Sequence, residues 1–128
     1  DDSSRTLVGD ANDFIIHDFN LRDVVNVLWM AGAEAVSVNE ERVAQSTSIY
    51  CVGSTIMVND TRLSPPYEIR AIGASLRLQD YLRNPGYLAE LKMRSERYGV
   101  VFEYSRVDSV IISAYQGSTI NRYVKPGS

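Results

Sequence analysis

Histidine, cysteine and tryptophan are scarce in this chain, and their scarcity excludes more chemistry than any motif suggests. The one cysteine, Cys51, cannot close an internal disulfide, so cysteine usage does not identify the redox compartment. One histidine and one cysteine cannot supply the usual zinc set, and the acids lack calcium-loop spacing, so no metal is expected. Glycine-rich phosphate loops are missing: Ala31-Gly32-Ala33-Glu34-Ala35 holds a single glycine and closes a helix instead of opening one. No cofactor is expected. No apolar run approaches the roughly 20 residues that span a bilayer, and no signal-peptide pattern opens the chain. The chain starts at Asp1 without an initiator Met, which reads as a piece of something longer. A net charge of −3 is too mild to point to nucleic acid.

What is present is an ordinary globular balance, 45% hydrophobic and 23% charged over 128 residues, enough for one domain with a real core. Charge is unevenly placed. Residues 1–41 carry nine acids and two bases, net −7, whereas residues 42–128 carry seven acids and eleven bases, net +4. The plain reading is an acidic face paired with the domain's own arginines, the alternative a dipole that docks a partner.

The strongest pattern runs from Asn20 to Asn39. Leu21, Val24, Val25, Leu28 and Trp29 fall at i, i+3, i+4, i+7 and i+8, which predicts a helix over 20–32. Asn20 has the chemistry of its cap and Asp23 the capping-box spacing. Gly32 sits where a left-handed residue stops a helix. Ala33, Val36 and Val38 then give a strand over 33–39, ended by the polar turn Asn39-Glu40-Glu41.

Around that unit, Asp1 to Asp13 reads as a flexible N-terminal segment and 14–124 as a single α+β domain, with 125–128 a tail. Phe14 to His17 is a brief strand or a hydrophobic lead-in to the helix. Ser48 to Val52 and Thr55 to Val58 flank Gly53-Ser54, a hairpin with a Gly-X turn. Asn59-Asp60 makes the next turn; Asn59-Asp60-Thr61 also matches a glycosylation sequon, and the turn reading is preferred. Pro65 and Pro66 bar a central strand there, and Tyr67 to Ile72 alternates as one. Ser75 caps a helix to about Arg83, Asn84-Pro85 restarts it, and Gly99 ends it. Val100 to Ser105 and Val110 to Ala114 read as a closing antiparallel pair.

Few residues invite a functional role. His17, beside Asp18, has the makings of a general base, and paired with Cys51 it would give a cysteine-type hydrolase. The structural alternative is a helix-entrance histidine and a buried strand cysteine. Asn26 borders the apolar stripe beside Trp29, so it either ties the helix to a neighbouring loop or contacts a ligand. Asn26 and Trp29 together suggest a polar-aromatic pocket for a small ligand or glycan. Ser64-Pro65-Pro66-Tyr67 reads as a stiff connection or a rigid partner-binding loop. Eight tyrosines and eleven arginines supply types that anchor interfaces. Asn26, Trp29, Gly32, Asn39 and Gly53 are otherwise read as structural.

The segments DFNLRDVVNVLWMAGAEAVSVN, STSIYCVGSTIMVN, SPPYEIRAIG and SAYQG…YVKP, taken in order, resemble a bacterial domain-of-unknown-function family of the YlxW/YlxX type, in wording nearest its actinobacterial branch. The genes of that family often sit near division and envelope genes. The resemblance implies an N-terminal transmembrane helix and a coiled-coil-prone segment before this domain, which would lie outside the cell membrane. It also implies a first strand lost from this chain, leaving a sheet edge free to pair with a second copy. Restoring that strand gives β-α-β…β-α-β, a two-layer ferredoxin-like plait with two main helices and 48–59 as an inserted hairpin. The family supplies no catalytic residues to carry over. The expectation is a non-enzymatic interaction domain with protein partners in the envelope or division machinery, the small-ligand or glycan receptor and the hydrolase being the alternatives.

Overall fold

The helix α1 (Asp18–Met30) forms where the apolar spacing asks for it, two residues earlier than expected. The computed structural model describes residues 3–9, 16–107 and 109–112, with backbone alone for 3–9 and 101. His17, in extended conformation, is the cap of α1, and Asn20 sits inside the first turn, its Oδ1 accepting the His17 N–H at 2.9 Å. Asp23 lies beyond that turn and caps nothing. At the other end Gly32 takes φ +96°, Gly32 N–H donates to Trp29 O and Ala33 N–H to Leu28 O, both at 3.0 Å. This is a complete Schellman stop, in which the left-handed residue lets the chain turn back onto its own last carbonyls.

In chain order the other elements are β1 (Ser3–Gly9), β2 (Ala35–Val38), β3 (Glu41–Val43), β4 (Ile49–Val52), β5 (Thr55–Val58), β6 (Thr61–Leu63), β7 (Tyr67–Ile72), α2 (Ser75–Arg83), α3 (Ala89–Tyr98) and β8 (Val101–Arg106). The main sheet has the order β3-β2-β7-β1-β8, and every neighbouring pair is antiparallel. With β3 to β6 set aside, the path β1-α1-β2-β7-α2-β8 and the spatial order β2-β7-β1-β8 are those of a ferredoxin-like plait. The fold is therefore the two-layer α+β architecture expected.

Two expectations about the start of the chain are overturned. Ser3–Gly9 is a strand, not a flexible segment, and it is the strand expected to be missing. It lies in the interior of the sheet, Thr6 opposite Ile69 on one side and Tyr104 on the other, so no vacant edge is left beside β7. A strand laddered on both sides is held by backbone bonds whatever its side-chain polarity.

The expected 48–59 hairpin is real but is part of something larger. β4, β5 and β6 make a second, three-stranded sheet, and β3 extends the first. The connections β2–β3 and β5–β6 are both two-residue turns with positive φ at both positions: Asn39 (46°) and Glu40 (76°), then Asn59 (53°) and Asp60 (63°). These are type I′ geometries, and asparagine tolerates the left-handed region better than most residues. In the β4–β5 turn only Gly53 is left-handed, at φ +62°. Residues 84–88 are a turn and not a helix restart. Gly86 N–H donates to Asn84 Oδ1 at 2.7 Å, and Leu88 at φ +61° precedes α3. Residues 109–112 form no strand; 113–114 and the tail 125–128 lie outside the described residues.

One core serves both sheets. Leu21, Val24 and Leu28 of α1 join Val36, Val38 and Ile69 of the plait and Ile56, Val58 and Leu63 of the smaller sheet. Leu78, Leu82 and Leu91 close it from α2 and α3. Each such side chain contributes roughly 1.5–3 kcal/mol relative to exposure. α1 packs against α2 and against β4, which places its polar flank at the junction of the two sheets. No helix among the described residues is long and apolar enough to cross a membrane.

Candidate functional site

The polar flank of α1 faces the connection between β3 and β4, and a cleft of about 200 Å³ opens between them. Arg22, Asn26 and Trp29, at i, i+4 and i+7, form one wall with Val25 beneath. Val43, Gln45, Thr47 and Ile49 face them from the other side. Val25, Val43 and Ile49 are buried, so the floor is apolar, while Asn26 and Gln45 are exposed at the rim. Trp29 is half-buried against the core.

Arg22 fixes the geometry at one end. Its Nη1 donates to Asp18 Oδ2 at 3.0 Å and to the carbonyl of Ile49, so one guanidinium ties α1 to β4. Burial alone would raise the Asp18 carboxyl. The bonded Arg22 guanidinium, the Phe19 N–H and the Cys51 thiol within hydrogen-bonding reach outweigh that and hold it below its ordinary value. Asp23, one residue past Arg22, goes the other way: burial raises its carboxyl, Arg22 opposes this and Glu90 adds to it.

A second polar device holds the two sheets together. Asn39 Nδ2 donates to Ser64 O at 3.1 Å, and Asn39 Oδ1 accepts the Glu68 N–H at 2.6 Å. Asn59 Nδ2 donates to Arg42 O at 2.7 Å. Each turn asparagine thus reaches from its own sheet to backbone of, or leading from, the other, a reciprocal clasp. Within the main sheet Arg70 pairs with Glu68 (3.2 Å) and Glu40 (3.5 Å) and donates to Ile111 O at 3.1 Å.

The family model for bacterial proteins of unknown function, DUF881, matches residues 1–125. The chain belongs to that family. It is similar to an uncharacterized conserved protein from Mycobacterium tuberculosis solved by crystallography, at 27% identity and a TM-score of 0.80, covering 98% of this chain and 87% of that one. No curated protein matches the chain.

Several expectations for this DUF881 domain change once the side chains are placed. Cys51 is exposed and not buried, because β4 is the outer strand of its sheet and only Ile49 in it is buried. The carboxylate within its reach is Asp18, already engaged by Arg22, and His17 stacks on Phe19 with ring centroids 5.3 Å apart. Among the described residues no bond joins the Cys51 thiol to the His17 imidazole. Asn26 is exposed and its side chain makes no hydrogen bond among the described residues, so it does not tie α1 to a loop; Asn39 and Asn59 do such tying elsewhere. In the proposed partner loop Ser64 and Pro66 are exposed and Pro65 half-buried, but Tyr67 is 2% exposed and belongs to the core. Ser75 opens α2 instead of capping it, and its Oγ accepts Arg106 Nε at 3.1 Å. Gln45 was invisible to sequence reasoning, since it lies in a polar connection whose only signal was its lack of periodicity.

Proposed function

We propose that this DUF881 chain is a recognition domain: a non-enzymatic interaction module of a membrane-anchored bacterial protein, held outside the cytoplasmic membrane and acting in the assembly or regulation of division or envelope machinery. The observation that carries it is the row Arg22, Asn26 and Trp29 along one wall of an open cleft. Arginine and tryptophan are the types that anchor interfaces, and the exposed carboxamide between them is free to bond an incoming group. The exposed part of the 64–66 loop, pinned by Asn39, is a second contact surface near the same junction. The location and the cellular process rest on the family likeness.

The test uses the intact membrane-anchored protein in its own cells. Cross-linking followed by pull-down should recover an envelope partner, and Asn26→Ala with Gln45→Ala should lose it while the melting temperature stays unchanged. Recovery of the same partner by the double variant would move the contact away from the cleft. A periplasmic reporter fused to the domain that stays inactive would overturn the location.

A further inference from the structure

The chemistry of the cleft narrows what it holds. We propose that it binds one pyranose ring of a neutral saccharide, a deepening that rests on the recognition reading above. Size comes first. About 200 Å³ is below the range of drug-sized sites, roughly 300–1,000 Å³, so the cleft takes a single small ring or side chain.

Charge comes second. Among the described residues Arg22 is the one ionic residue lining the cleft, and its Nη1 is bonded to Asp18 and to the carbonyl of Ile49. Its charge is paired with Asp18, and no other charged side chain among the described residues lines the cleft, which favours a neutral occupant, because a charged group would be desolvated there without a counter-ion.

Hydrogen bonding comes third. Asn26 and Gln45 stand on opposite walls with carboxamides that have no protein partner among the described residues. Each carboxamide offers two N–H donors and one acceptor oxygen, a set matched by adjacent hydroxyls, which also donate and accept. Thr47 Oγ1 accepts the Ala44 N–H at 2.7 Å, leaving its own O–H to donate. Between these rims lie the half-buried Trp29 and the apolar floor of Val25, Val43 and Ile49. A ring with a C–H face and a hydroxylated edge has this division of apolar and polar surface.

An extended peptide fits less well. Peptide capture on a sheet uses a strand's unpaired backbone groups. Here the flanking carbonyls are already occupied, Arg42 O by Asn59 and Ile49 O by Arg22.

The experiment is a ¹H–¹⁵N titration of the chain with methyl glucoside, N-acetylglucosamine and a linear trisaccharide of each. The side-chain amides of Asn26 and Gln45 and the Trp29 indole N–H should shift together, with Kd on the order of 1 mM for a single ring. Tighter binding of the trisaccharide assigns a polymer as the source, and equal binding assigns a free sugar. Asn26→Ala and Gln45→Ala, both at exposed positions, should each weaken binding about tenfold without moving the melting temperature. No shift at these groups with any sugar at about 50 mM overturns the proposal. So does a neutral peptide rich in Gln and Tyr that shifts the same groups at lower concentration. In either case, continued loss of the partner in the double variant would leave the recognition function standing. Sugar binding without that loss would keep this inference and remove the cleft from the partner contact.

Discussion

The plait and the smaller sheet share a core but are secured in different ways. The plait holds its central strands by ladders on both sides and by helices that bury Leu21, Leu28, Leu78, Leu82 and Leu91. The β4-β5-β6 sheet contributes Ile49, Ile56, Val58 and Leu63 to the same core, yet its outward side is exposed and its attachment passes through individual polar groups. Arg22 grips Ile49 O, Asn59 grips Arg42 O, and the Tyr50 hydroxyl donates to Asp60 within the sheet at 3.0 Å. Burial is non-directional and makes a unit cohere, whereas side-chain bonds to backbone set where an appended piece sits. The cleft lies on that seam, so polar contacts set its width more than packing does.

The most severe way to break the comparison is to cut the shared core. Leu28→Ala, at a site with no exposure, should cost about 3 kcal/mol, with both sheets unfolding in one transition by denaturant titration. Two separated transitions would mean the sheets are independent units. Next comes Asn39→Ala, expected to cost about 2 kcal/mol, from three lost bonds to backbone and a left-handed φ that alanine resists. Asn39→Gly, which keeps the conformational freedom, should recover part of that loss and so separate the two contributions.

Asn59→Ala sharpens the contrast. A cost of about 1–2 kcal/mol should appear in hydrogen exchange as lost protection across 49–63, with α1 and β7 barely affected. Equal loss in both regions would refute the division drawn above. The smallest effect belongs to Asp18. Its depressed carboxyl pKa contributes stability that is present above the unfolded value near 3.9 and is lost as pH falls through the lower folded value. Asp18→Asn should therefore lower stability slightly at neutral pH, flatten the acid limb of a stability–pH curve and leave stability below the folded value nearly unchanged. An acid limb identical to that of the parent would assign the dependence to other carboxylates.

The same division explains what could be read before any coordinates. The stripe from Leu21 to Trp29, the stop at Gly32 and the alternation of Tyr67 to Ile72 are local consequences of burial on one face, and periodicity exposes them directly. Ser3–Gly9 escaped because Ser-Ser-Arg-Thr carries no apolar period; that strand exists through ladders with residues 59 to 69 and 92 to 102 positions away. Asn39 and Asn59 were legible as turn residues, since the left-handed backbone is local. Their second role, holding distant carbonyls, depends on where the other sheet lands. The cleft was half legible. Asn26 and Trp29 share a helix face by spacing alone, but the opposing Gln45 is brought there by the path of β3 into β4. Cys51 misled because an apolar run suggests a covered strand, and β4 is covered only at Ile49.

The interior position of β1 also dictates the order in which this molecule can be made. Within this domain residues 3–9 leave the ribosome before the partners they lie between, β7 and β8, which are separated from them by much of the chain. Vectorial synthesis therefore cannot lay the plait down strand by strand. β1 waits for β7 on one side and, later still, for β8 on the other, and closure of the sheet is a late, long-range event in the life of the nascent polypeptide.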